Sequence, residues 1–190
     1  MKNNKQLIDK ILAGDTNAFK SVVEEYQRLV SHIVFRMINM EEDREDVCQD
    51  IFLKVYRNLS RFKFESKLST WIAKIAYNTC INYLGKKKVP LFNDLSRDDI
   101  TLDSFSGNNI APDKFTEKKD ISVRLQAIIE KMPAQFRSIL TLFHLQEMRY
   151  NEIAEIMGLP EGTVKSYLFR ARKLLKERLM SQYKQEEIWH

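Results

Sequence analysis

Residues 150–179 read YNEIAEIMGLPEGTVKSYLFRARKLLKERL, and this stretch decides the fold class. Ile153, Ala154 and Met157 fall at the spacing of one helix face, with Ala154 small enough for two helices to cross closely. Gly158 suits the left-handed residue that ends a helix, and Leu159 then tucks beneath the turn. Pro160 and Glu161 are compatible with starting a second helix, whose buried side would be Val164, Leu168 and Leu175. Its exposed side then carries Lys165, Ser166, Phe169, Arg170 and Lys173. A helix that follows a tight turn and opens with polar and basic residues has the geometry that enters a major groove. The segment from Tyr150 to about Lys176 is therefore read as a helix-turn-helix. A basic helical hairpin that binds protein shares the charge; the Ala154–Gly158–Val164 spacing joined to it favours the DNA reader.

Position assigns the chemistry. Lys165 and Arg170 can donate to guanine O6 and N7, Ser166 can donate or accept, and Phe169 can meet a thymine methyl. Thr163, Arg172 and Lys173 are better placed for phosphates, which fix register without reading sequence.

Working outward, the remaining chain also reads as helical, with no convincing strand. Phe19, Val22, Val23, Tyr26, Leu29, Val30, Ile33, Val34 and Met37 keep the three-four spacing of one helix. Gly14 and Asp15 read as the stop of a short first helix and the cap of this one. Val47/Cys48, Ile51/Phe52 and Val55/Tyr56, then Leu59, repeat every four residues in a third helix. A fourth runs from Ser69, taken as its N-cap, to Gly85. Helical spacing resumes with Ile121, Leu125, Ile128, Ile129 and Met132. Pro133 suits the first turn of a further helix through Phe136, Ile139, Leu140 and Phe143.

Between these groups the periodicity fails. Residues 88–117 hold Asp94, Asp98, Asp99, Asp103 and Asp113 among Ser, Asn and Gly107, the composition of an acidic linker. A loop of that length is uncommon inside one compact domain, so the chain is read as two. The expected architecture is all-α: two helical domains joined by a flexible acidic linker, with a C-terminal helix-turn-helix. The boundaries are set at 1–88, a linker over 89–118, a second domain over 119–182 and a tail over 183–190.

The chain has 190 residues, 44% of them hydrophobic, which is ample for globular cores, and a formal charge of +5. Charge placement tells more than the total. Residues 61–88 hold seven Lys/Arg against Glu65, residues 165–178 hold six against Glu177, and Glu41–Asp50 holds six acids against Arg44. Two basic stretches set apart by acidic ones suggest a polyanion touched at two places, with solvated helix faces as the plain alternative. Cys48 and Cys80 lack the spacing of a zinc site or a disulfide framework. No His accompanies the acids near Glu41 in the pairing that a helical di-metal enzyme needs, so an enzyme is not indicated, nor is any cofactor or metal. The start, MKNNKQLIDK, lacks a signal peptide's apolar core, and no apolar run reaches membrane-spanning length; a cytoplasmic protein is expected.

Set together, REDVCQDIFLKVYRNLSRF (44–62), FESKLSTWIAKIAYNTCINYLGKKK (64–88) and the helix-turn-helix resemble, in order, the bacterial RNA polymerase sigma factors of the extracytoplasmic-function group. The resemblance covers nearly the whole chain. It implies a promoter-melting domain to about Lys88, and a second DNA-binding domain from about Lys119 that reads the minus-thirty-five element. It implies docking on core RNA polymerase, through the coiled coil of the largest subunit and the flap region. Asp46, Gln49 and Asp50 would supply acceptors to the coiled coil, with Phe52 or Tyr56 reaching the partner; an acidic first turn is also what the helix dipole favours.

It further implies that Arg61–Ser69 and the following helix read the minus-ten element as a single strand. Arg61, Phe62, Lys63 and Phe64 alternate cations with rings, as suits backbone and unstacked bases. Asn78 and Asn82 would meet an extruded base, and Lys86, Lys87 and Lys88 the phosphates. Trp71 reads more simply as core, and Tyr77 and Tyr83 stay open. The linker would lie in the RNA exit path, its acids standing in for RNA phosphates. An anti-sigma protein, often membrane-bound, is the expected further partner. Relatives often carry Gly where this chain has Phe64, and Arg where it has Tyr167, which leaves promoter preference open. A stand-alone helix-turn-helix regulator is the alternative, but neither a dimerisation helix nor a ligand domain is evident.

Overall fold

In the computed structural model the described residues are 2–87, 125 and 127–188, and all their regular elements are helical. Lys88 and the acidic segment, including Asp94, Asp98, Asp99, Asp103 and Asp113, lie outside the described residues.

The first four helices are α1 (Lys2–Leu12), α2 (Thr16–Met37), α3 (Glu41–Asn58) and α4 (Leu68–Lys86), with a 3₁₀ turn over Leu59–Arg61. Between α1 and α2, Gly14 takes φ +97° and the Asp15 carboxylate accepts from the backbone N–H groups of Asn17 (3.0 Å) and Ala18 (3.1 Å). That cap satisfies donors the first turn leaves open. Val22, Tyr26, Leu29, Val30, Ile33, Val34 and Met37 form the buried face of α2, with Phe19 at its edge.

α4 begins one residue before the expected Ser69 cap: Lys67 holds the cap position with no side-chain bond, and Ser69 falls inside the first turn. Leu68 is buried, so bringing it into the helix gains apolar area that a serine cap would forgo. Leu68, Ile72, Ala73, Ala76, Tyr77, Cys80 and Leu84 bury nearly all sides of α4, which packs against α2, α3 and the C-terminal half. A helix buried on most of its sides belongs at the centre of a fold. Both thiols, Cys48 and Cys80, are free.

The C-terminal half contains α5 (Ala134–Leu140), a π turn over Thr141–Leu145, α6 (Tyr150–Met157) and α7 (Glu161–Ile188). Pro133 caps α5 rather than opening it. The wide turn closes with the Gln146 N–H donating to the Thr141 carbonyl at 3.1 Å. Gly158 ends α6 at φ +67°, and the Leu159 N–H returns to the Ala154 carbonyl at 3.1 Å. Val164, Leu168, Ala171 and Leu174 form the buried stripe of α7; Leu175, expected there, is only half-buried. The helix continues to Ile188, through most of the segment set apart as a tail.

The two halves pack on each other. α2 touches α5 and α4 touches α6, and one apolar core runs through both. Polar contacts cross the seam: Lys67 Nζ to Glu152 Oε1 at 2.9 Å, Gln146 Nε2 to His32 Nδ1 at 2.7 Å, and Arg137 to Asn39 Oδ1 at 2.6 Å and the Met37 carbonyl at 3.1 Å.

Candidate nucleic-acid interface

On α7, Phe169 is 68% exposed, a ring held in water beside Lys165 and Ser166. Such a ring is available to an apolar contact that the free chain does not make. Lys165 pairs with Glu161 at 2.9 Å and lies 5.4 Å from the Tyr150 ring centre; Lys173 pairs with Glu177 at 3.7 Å. Exposed pairs one turn apart are weak and screened, so these lysines can exchange a carboxylate for a phosphate at little cost. Arg172 lies over Phe143 at 4.9 Å and donates to His144 Nε2 at 3.2 Å. Burial and the adjacent Arg172 hold the His144 pKa down, which keeps its ring neutral and able to accept. Ser166 Oγ donates to the Thr163 carbonyl at 2.9 Å, and Thr163 and Arg170 are half-buried on the flanks. All seven residues expected to contact duplex DNA thus fall on one helix. Tyr167 does not join them: it packs edge-on to Phe136 at 6.3 Å, and burial first, then Tyr167, raises the Tyr77 phenol.

The loop before α4 alternates inside and outside. Arg61 and Lys63 are exposed, but Phe62 is 7% exposed, with ring centres of Phe64 at 4.7 Å and Trp71 at 5.3 Å. The expectation that Phe62 offers a base platform is therefore corrected: it is a core residue, and Trp71 packs with it. Phe64 is half-buried and sits at φ +60°. A left-handed backbone costs a non-glycine residue about 1–2 kcal/mol, and ring packing offsets about 0.5–1.5 kcal/mol. Phe64→Gly is expected to leave stability within about 1 kcal/mol, whereas Phe64→Val, branched at Cβ, should lose roughly 1–3 kcal/mol. Urea denaturation of both variants checks this; equal losses would place the Phe64 ring, not its backbone, in control.

Asn78 and Asn82 are exposed one turn apart on α4. Asn82 and Lys86 line a cleft of about 260 Å³ shared with Asp43, Asp46, Asp50 and Lys54 of α3. Lys54 bridges it, 2.6 Å from Asp50 Oδ2 and 3.3 Å from Thr79 Oγ1. The Tyr83 hydroxyl donates to Asp43, and Lys87 lies 3.7 Å from the same carboxylate. Burial and Asp43 push the Tyr83 phenol up to about 12.

Across α3, Asp46, Gln49 and Tyr56 share the exposed face, with Tyr56 edge-on to Phe19 at 4.9 Å. Asp50 is half-exposed beside them. Phe52 turns toward the core, and the apolar residue on this stripe is Leu53, 53% exposed. Sequence reading missed Leu53, although it lies four residues beyond Gln49. Phe35 and Met40 extend the exposed apolar surface near the α2–α3 junction, where Arg44 lies over the Phe35 ring at 5.2 Å. No group of His, Cys, Asp and Glu suited to a metal ion occurs among the described residues, and no described helix is long and apolar enough to cross a membrane.

Residues 22–89 match the family model for Sigma-70 region 2, and residues 122–175 that for Sigma-70, region 4. The chain is 36% identical over 179 residues to the ECF RNA polymerase sigma-E factor of Escherichia coli, covering 91% of this chain and 92% of that one. It is 30% identical over 184 residues to the RNA polymerase sigma-H factor of Pseudomonas aeruginosa, covering 94% of each. Among solved structures, the sigma factor RpoE of Bartonella quintana, in complex with the anti-sigma factor NepR, aligns with TM-score 0.61 at 22% identity. That alignment covers 85% of this chain and 96% of that one. CnrH, in complex with the cytosolic domain of CnrY, aligns with TM-score 0.64 at 19% identity, covering 92% and 96%. At these identities the structural likeness concerns the fold.

Proposed function

Because this chain belongs to the extracytoplasmic-function (ECF) RNA polymerase sigma factors, we propose that its three surfaces divide the work of promoter selection. The protein is a transcription initiation factor that binds core RNA polymerase and directs promoter recognition. In the proposed division, the α3 stripe of Asp46, Gln49, Leu53 and Tyr56 docks on the polymerase's largest-subunit coiled coil. Arg61, Lys63, Phe64, Asn78, Asn82 and the lysines ending α4 take the minus-ten element as a single strand. Lys165, Ser166, Phe169 and Arg170 read the minus-thirty-five element in the major groove, with Thr163, Arg172 and Lys173 on phosphates.

One observation carries this reading. Asp43, Asp46 and Asp50 of α3 and Asn82 and Lys86 of α4 line one cleft, with Lys54 and Tyr83 tying the helices together. A stand-alone regulator has no use for such a pair beside its helix-turn-helix. The two halves occur in the order that unwinding and upstream reading require, which supports domains near 1–88 and 119–182. An anti-sigma partner belongs to the same proposal; the Bartonella quintana chain of this fold was solved with one.

Reconstitution tests it. Core polymerase with this chain is expected to give run-off transcripts from a cognate promoter, and core polymerase alone none. Transcripts of equal yield without the chain, or none on any promoter with it, would overturn the reading.

A further inference from the structure

Beside the recognition surface, side chains from three elements form one stack. The π turn over Thr141–Leu145 supplies Phe143, and Tyr150 is the first residue of α6. Their rings lie nearly parallel, 23° apart with centres at 5.2 Å. A cation of α7 closes each end: Arg172 lies 4.9 Å from the Phe143 centre and Lys165 5.4 Å from the Tyr150 centre. Lys165 and Arg172 are about two turns apart along one side of α7, and both are proposed DNA contacts. Departures from α geometry such as this π turn are frequent at functional sites.

Both rings are half-buried against the core, so packing fixes their place while the two cations stay exposed. Arg172 is held on a second side as well. Its Nε and Nη2 both reach His144 Nε2 at 3.2 Å, and His144 stands edge-on to Phe143 at 5.0 Å. One face and one edge of the guanidinium are thus engaged, leaving the Nη1 donors for a phosphate. Neither holder is an anion, so a phosphate has no carboxylate to displace from Arg172. Lys165 does pair with Glu161 at 2.9 Å, yet its contact with the Tyr150 ring can persist when DNA replaces that carboxylate. An exposed cation over a ring is only weakly attracted. Its larger consequence is order: a long side chain already fixed in the free chain loses less freedom when it binds.

We propose that the Phe143–Tyr150 stack positions Arg172 and Lys165 for the minus-thirty-five duplex before the duplex arrives. Phe143, His144 and Tyr150 are positioning residues: they act through the two cations and read no base. The inference rests on the DNA-reading role proposed for α7. It separates Arg172 from Lys173, whose flexible stem is paired with Glu177 at 3.7 Å and finds its phosphate only on binding.

Two measurements test it. In the free full-length chain, nitrogen-15 relaxation of the arginine Nε–H groups reads side-chain order without any assay of function. Arg172 is expected to be restricted in the wild type, mobile in Phe143→Leu and restricted again in Phe143→Tyr, which keeps a ring. In reconstituted holoenzyme, Phe143→Leu is expected to weaken promoter binding about 3- to 10-fold at an unchanged log–log salt slope, and Phe143→Tyr to bind as the wild type does. Arg172→Ala reduces that slope by about 0.9, the mark of one lost phosphate, and in the Arg172→Ala chain Phe143→Leu adds less than about 2-fold. A merely structural Phe143 would give the same loss with or without Arg172, and that result overturns the inference. So does an Arg172 side chain already mobile in the wild type. Full affinity in Phe143→Leu, while Arg172→Ala still binds weakly, overturns it and leaves the DNA-reading role of α7 standing. No loss from either Arg172→Ala or Lys165→Ala would strike that role together with the inference.

Discussion

Phe136→Ala is expected to lower the stability of the C-terminal half by about 3–5 kcal/mol, while Phe169→Ala leaves it within about 0.5 kcal/mol. The two residues are the same type in the same half, and their surroundings decide the outcome. Phe136 is fully buried in α5, a helix whose seven residues are all buried, and its ring meets Tyr167 edge-on. Truncation removes the transfer free energy of the ring and leaves a cavity between α5 and α7 that helices on both sides cannot close. With whole domains stable by only about 5–15 kcal/mol, the loss is a large share. Phe169 stands in water, so removing it exposes nothing. Urea denaturation followed by circular dichroism measures both. A loss under about 1 kcal/mol for Phe136→Ala would mean the site collapses and α5 is not rigidly packed.

The contrast also marks what the sequence could carry. Helices were legible because their apolar residues repeat at the helical period and local chemistry punctuates them: Asp15 caps α2 and Gly158 takes the left-handed turn. Ser69 misled because capping preference is worth less than burying Leu68. Leu174 displaced Leu175 because a stripe of three-four spacing drifts along a helix as long as α7, and neither residue is marked by type. In the loop before α4, cations alternating with rings match a single-strand reader. The same alternation arises where an extended segment turns every second side chain inward, as Phe62 does. On the face of α3 the acids and aromatics stand out by type, whereas Leu53 is one more leucine in the sequence. Least legible was the seam. Gln135, Arg137 and Ser138 are polar and buried, and two acceptors of Arg137 come from residues 98 and 100 positions away. No local pattern encodes such a contact. Tyr167 shows the same limit: a departure from relatives beside the recognition surface proves to pack against Phe136.

Arg170→Ala is expected to weaken binding of the reconstituted holoenzyme by about 1–3 kcal/mol, roughly 5- to 150-fold, on a promoter carrying the cognate minus-thirty-five base. On a promoter with that base replaced, the same variant should lose little. The reason lies in how the guanidinium is presented. Arg170 is half-buried next to Phe169 on α7, so its stem is partly held against the helix surface. A fork fixed in that way can meet guanine O6 and N7 with two bonds and gains nothing from a pair that lacks them. Lys173 supplies the control. It is exposed, paired with Glu177 at 3.7 Å, and carries a point charge on a flexible stem. Lys173→Ala should weaken binding evenly across promoters and reduce the log–log salt slope by about 0.9, the signature of one lost phosphate. Affinities over a salt series on cognate and substituted promoters separate the two behaviours. If Arg170→Ala lowers every affinity alike and shifts the salt slope as Lys173→Ala does, Arg170 holds the backbone. Base reading on α7 then falls to Lys165, Ser166 and Phe169.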